Sequence, residues 1–166
     1  MNERIEKSLL GITGEYYVAA ELARRNIYAQ LTLGNQKRTD LLIFSHDTDK
    51  LLKVEVKCKQ TDVWPNCKGI NSPNSVIVFV DFKKKLITDR PSFYILDNND
   101  WSNIVKQIEQ EYNSKHPGRK TKIEGNVLIL LDEVGSSGKP YEGCSIKISD
   151  IENFENCWEK IVEKLN

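Results

Sequence analysis

Glu15, Asp40, Glu55 and Lys57 are the residues of this chain whose types and spacing could do chemistry together. Carboxylates held side by side repel unless a cation lies between them, and a lysine beside them faces whatever negative charge that cation attracts. Asp40 opens the apolar run Leu41 to Phe44, and Glu55 and Lys57 lie inside the run Leu51 to Cys58. Between the two runs sits a polar turn, His46 to Lys50, so the pair reads as a β-hairpin. In the second strand Val54, Val56 and Cys58 alternate with Glu55, Lys57 and Lys59, which puts Glu55 and Lys57 on one face. A turn centred on Asp47 and Thr48 sets Asp40 opposite Glu55, with β-carbons roughly 4.5 to 5.5 Å apart. Two opposed carboxylates destabilise a hairpin unless a shared divalent cation such as Mg²⁺ relieves them.

Asp40 followed on the neighbouring strand by Glu55-Val56-Lys57 resembles the signature of the PD-(D/E)XK nuclease superfamily, with Thr39 in place of the name-giving proline. The resemblance implies a restriction-endonuclease-like fold. It implies that Asp40 and Glu55, with the Val56 carbonyl as a further ligand, bind Mg²⁺, for which Mn²⁺ substitutes. Lys57 then stabilises charge on the scissile phosphate.

The elements that position these residues begin with a helix expected over residues 8 to 26. At helical spacing Ile12, Glu15, Tyr16, Ala19, Leu22 and Ala23 share an arc, whereas Thr13, Tyr17, Glu21, Arg24 and Arg25 fall outside it. Glu15 therefore lies within the apolar stripe, where a carboxylate is costly unless paired or cation-bound; a place at the stripe's edge, reaching solvent or Lys57, is the alternative. Gly11 and Gly14 leave one shoulder of the helix bare, as close approach to a neighbouring backbone or a phosphate requires. The order Gly-Glu-Tyr-Tyr-Val-Ala-Ala-Glu-Leu, then Asp40, then Glu-Val-Lys is similar to the resolvase-like branch of the same superfamily. That likeness, over roughly residues 10 to 60, implies that Glu15 joins the metal site.

The chain has 166 residues, 39% hydrophobic and 29% charged, in keeping with one globular domain spanning residues 1 to 166. Lys plus Arg and Asp plus Glu both number 24, so no global charge draws it to nucleic acid or membrane. The N-terminus is charged and leads into no long apolar run, giving the expectation of a cytoplasmic protein with no membrane partner. Cys58, Cys67, Cys144 and Cys157 form no CxxC pair, and with only His46 and His116 beside them they read as reduced core thiols.

Elsewhere the sequence offers nucleic-acid contacts, each weighed against an ordinary structural role. Lys37 and Arg38 precede Asp40, in a segment that could equally be a solvated loop. Lys59 and Gln60 extend the charged strand, and Trp64, in a turn-rich segment, could stack on a base or plug the core. Lys115, Arg119 and Lys120 belong to the most basic stretch, which could grip phosphates or simply be solvated. Lys83 to Lys85 read as a solvated turn. Strands are expected at Tyr28 to Leu33, Ser75 to Phe82, Ser92 to Leu96, Val127 to Leu131 and Ser145 to Ile148. Asp100 is expected to cap a helix burying Trp101, Ile104, Val105, Ile108 and Tyr112, and Ser149 with Glu152 to box the last helix. The fold class is α/β: a three-layer α/β/α domain with a central mixed sheet.

The expected activity is Mg²⁺-dependent endonucleolytic hydrolysis of DNA. RNA is a further substrate class that the fold leaves open, and a catalytically silent nucleic-acid-binding module is the competing reading. Cutting both strands of a duplex with one site per chain calls for a homodimer.

Overall fold

The computed structural model describes residues 4–32, 39–45, 49–135 and 138–166. At its centre lies the most apolar run of the chain, β5 (Ser75–Asp81), in which every residue is buried. Its alternate side chains divide between two cores: Ile77 and Phe79 on one face, and Val76, Val78 and Val80 on the other. A strand buried on both faces must be interior to a sheet covered on both sides, which sets the layering.

Around β5 the central sheet is completed by β1 (Ala29–Leu31), β2 (Leu41–Ser45), β3 (Lys50–Lys59) and β6 (Ser92–Asp97), in the order β1-β2-β3-β5-β6. Only β3 and β5 run parallel and the other pairs are antiparallel, so the sheet is mixed. The hairpin has the register expected from its sequence: Leu41 pairs with Val54, Ile43 with Leu52 and Ser45 with Lys50. Its turn, His46 to Thr48, lies outside the described residues, as do Lys37 and Arg38.

One face is covered by α1 (Lys7–Ala23) and by α4 (Glu159–Leu165), which together bury Val18, Leu22 and Ile161 against Val54, Val78 and Ile95. Each such aliphatic side chain contributes about 1.5 to 3 kcal/mol on burial. The buried positions of α1 are Gly14, Val18, Glu21 and Leu22, so its inner face is rotated from the expected arc: Tyr16 and Ala23 are exposed and Glu21 is buried. Glu21 tolerates this because Arg90 reaches it from the β5–β6 connection, with Nε and Nη2 each 2.8 Å from its carboxylate oxygens, and Arg25 adds a bond of 2.7 Å.

The opposite face carries α2 (Asn98–Lys115), whose Trp101, Ile104 and Val105 are buried as expected, with Ile108 and Tyr112 packed alongside. Its cap is Asp97 and not Asp100; Asp100 occupies the third helical position, and its carboxylate accepts a hydrogen bond from the Asp97 N–H. Two small sheets complete this layer. One pairs β4 (Trp64–Cys67) with β10 (Cys144–Ile146), and the other joins β7 (Thr121–Glu124), β8 (Val127–Val134) and β9 (Pro140–Glu142). Neither β4 nor β7 was expected: Pro65 and Asn66 disguise the first as a turn, and the basic stretch disguises the second.

The last helix is also broken. A short α3 (Ile148–Ile151) takes up Ile148, where a strand was expected, and its first turn is boxed by Asp150 bonding the Lys147 N–H at 2.7 Å, not by Ser149 and Glu152. Asn156, at φ 56°, then redirects the chain so that Trp158 packs on Phe93. Cys58, Cys67, Cys144 and Cys157 are free thiols. Among the described residues no helix is long and apolar enough to cross a membrane.

Candidate active site at the edge of the central hairpin

Strand β2 begins at Leu41 while β3 continues to Lys59, so beyond Val54 one edge of β3 has no β-strand partner from β2. Asp40 fills the first step of that gap. Its backbone N–H donates to the Val54 carbonyl at 2.8 Å, and its Oδ2 accepts from the Val56 N–H at 2.6 Å. A side chain thereby replaces the main-chain acceptor that another strand residue would have supplied, and it holds the carboxylate beside Glu55 and Lys57.

Glu55 is 2% exposed, and its Oε1 meets the Lys57 Nζ at 2.8 Å. Among the described residues its Oε2 is buried without any hydrogen-bond partner. A buried carboxylate oxygen left unpaired costs several kcal/mol unless a charge comes to meet it. Burial also raises the Asp40 carboxyl above its ordinary pKa, only partly offset by the Val56 N–H and by Lys57. For Lys57 burial pulls downward, but Glu55 and then Asp40 outweigh it, so the ammonium is held more firmly protonated than usual.

Glu15 approaches Asp40 from α1. Its pKa is raised by burial and then by the Asp40 charge, so the helix does bring this acid towards the start of β2. The approach depends on Gly14: a β-carbon there would lie 2.0 Å from Cys58 Sγ, and the Cys58 thiol in turn points towards the Gly11 carbonyl at 3.8 Å. The bare shoulder in the sequence is thus a contact between α1 and β3. Cys58, read from sequence as an ordinary core thiol, has its pKa pushed up to about 12 by burial and then by Glu15 and Asp40.

Asp40 thus lies next to both groups: Lys57, paired with Glu55, on one side and Glu15 from α1 on the other. Among the described residues no group of three or more Asp, Glu, His and Cys side chains is placed to hold a metal ion. An Mg²⁺ ion does not need one: it typically takes one or two carboxylates and completes its shell with water and substrate phosphate. The Oε2 of Glu55, unpaired among the described residues, fits such an ion.

The other contact candidates are placed differently. Lys59 is enclosed, with Nζ 2.8 Å from Asp81, 3.1 Å from the Thr61 carbonyl and over the Trp64 ring. Trp64 is a core residue whose Nε1 donates to the Val80 carbonyl at 3.2 Å, so its ring is not offered to a base. Gln60 brackets Ile5 from both sides, accepting from its N–H at 3.0 Å and donating to its carbonyl at 2.7 Å. Lys115 pairs with Glu111, and Arg119 and Lys120 are exposed between α2 and β7, on elements that supply none of the converging residues.

No family model matches the sequence. No curated protein matches it either. Among solved structures the chain is similar to a bacterial homing endonuclease, at 17% identity and a TM-score of 0.42, over 57% of this chain and 71% of that one.

Proposed function

We propose that this chain is a metal-dependent nuclease of the PD-(D/E)XK type that hydrolyses phosphodiester bonds in DNA. The observation that carries the reading is the buried Oε2 of Glu55, unpaired among the described residues, on a carboxylate whose Oε1 meets Lys57, which in turn feels the charge of Asp40. Asp40, Glu55 and the Val56 carbonyl would hold Mg²⁺ or Mn²⁺. Such an ion, when bound, polarises the phosphoryl oxygen and lowers the pKa of bound water.

The chain's own residues supply the rest. Lys57 stays protonated under the influence of Glu55 and Asp40, so it stabilises negative charge on the phosphate as water attacks and does not act as the base. Glu15 orients the attacking water or holds a second ion. Thr39 in place of proline leaves this arrangement untouched, because Asp40 is fixed by its bonds to Val54 and Val56.

Incubation with linear, nicked, single-stranded and four-way-junction DNA, and with RNA, in Mg²⁺ or Mn²⁺ tests the reading. Cleavage that EDTA abolishes, and that Glu55→Gln and Lys57→Ala each reduce by at least about a hundredfold, is the expected result. Binding without cleavage under every metal would instead support a silent binding module, and activity surviving in both variants would assign the chemistry elsewhere. Double-strand cuts would require a dimer, visible as a concentration-dependent rate.

A further inference from the structure

Beyond the candidate site, the carboxyl ends of the parallel strands β3 and β5 open into a cleft of about 330 Å³. In α/β sheets the crevice at the carboxyl ends of parallel strands is a recurrent ligand position. Among the described residues Arg4, Lys83, Lys84 and Lys85 line this one against one carboxylate, Asp62, which is paired with Lys83. In a chain whose cations and anions balance at 24 each, that is a local concentration of positive charge.

The arrangement is held in place from below. Lys83 N–H bonds Asp81 Oδ1 at 2.8 Å and Lys85 N–H bonds the Phe82 carbonyl at 3.2 Å, fixing a turn that passes through Lys84 at φ 59°. Gln60 clamps Ile5 through both of its amide atoms, which draws the neighbouring Arg4 to the rim. Beneath, Lys59 is neutralised by Asp81. The turn read from sequence as merely solvated is thus one wall of a built cleft.

We propose that this cleft binds a phosphodiester of the same nucleic-acid strand that is cut at Asp40, Glu55 and Lys57; the inference rests on the nuclease reading. The candidate residues lie on β3 and the cleft begins at Gln60 and Thr61, just past its end at Lys59, so at about 3.3 Å per residue Lys57 and Thr61 are at most roughly 13 Å apart. Duplex DNA advances about 3.4 Å per nucleotide, so the cleft would take a phosphate within about four nucleotides of the scissile one.

The test uses the full chain carrying Glu55→Gln, which suppresses cleavage, and measures binding of a fluorescent DNA duplex as salt is varied. Adding Arg4→Ala, Lys84→Ala and Lys85→Ala should weaken binding at least about tenfold and flatten the log–log salt slope by about 2 to 3, near 0.9 per phosphate contact. Unfolding temperature, measured alongside, should not move. Unchanged affinity and slope would overturn the inference, while cleavage by the wild-type protein would leave the nuclease reading standing. Loss of binding in the triple variant, with no cleavage by the wild type under any metal, would keep the cleft and remove the nuclease reading. Inorganic phosphate is the competitor arm: displacement of DNA at low millimolar phosphate would assign the cleft to free phosphate and overturn the proposal.

Discussion

The carboxylate of Asp40 caps the Val56 N–H at 2.6 Å, one residue from Glu55 and one from Lys57. This bond ends the β2–β3 ladder with a charged group. The candidate site residues are positioned relative to it: Glu55 and Lys57 by strand alternation, and Glu15 by the helix that packs on β3 at Gly14.

Gly14→Ala should displace α1 or force Cys58 to rotate, because the new methyl would fall 2.0 Å from Sγ. The expected cost is about 1 to 3 kcal/mol in urea unfolding, with a fall in cleavage rate as Glu15 is drawn away. Cys58→Ala alone should change little, and the Gly14→Ala, Cys58→Ala double variant should recover most of both losses. A double variant no better than Gly14→Ala would show that the contact does not set the helix position.

Acid sensitivity should trace in part to Glu21. Hydrogen bonds from Arg90, against the opposing effect of burial, and then those from Arg25, hold its pKa at about 2 against an ordinary 4.5. A carboxylate whose folded pKa is depressed stabilises fully above its unfolded value and loses that contribution as pH falls towards the folded one. Glu21→Gln should therefore lower the unfolding temperature at neutral pH, by about 1 to 3 kcal/mol in stability, and the gap to wild type should close between pH 4.5 and about 2. A gap independent of pH over that interval would contradict the assignment.

Lys59→Ala should behave as a core substitution. It strands the Asp81 carboxylate, which is 5% exposed, at an expected cost of about 3 to 5 kcal/mol in denaturant unfolding. The salt slope of DNA binding should stay the same in the protein that remains folded. A stable variant with weakened, less salt-dependent binding would make Lys59 a phosphate contact after all.

The hairpin was legible because a period-two pattern on both sides of a short polar turn admits few registers, and the pairs Leu41–Val54 and Ile43–Leu52 follow from it. The bare face of the first helix was legible in Gly14. Its rotation was not: nothing local to Glu21 announces Arg90, which comes from 69 residues away. Distance in sequence also hid β4, whose Trp-Pro-Asn-Cys becomes a strand only because β10 pairs with it at Cys144. Lys59 illustrates the same limit, since strand alternation places it with Glu55 and Lys57 but only the neighbouring β5, through Asp81, determines that it is enclosed.

If Glu55 and Asp40 together take up a divalent cation, titration of the DNA-free protein with Mn²⁺, followed by electron paramagnetic resonance, will detect it. Saturable uptake by the wild type is expected, weakened at least tenfold, about 1.4 kcal/mol, by Glu55→Gln and by Asp40→Asn, with circular dichroism unchanged. No uptake by the wild type, or equal uptake by both variants, would contradict binding at this pair.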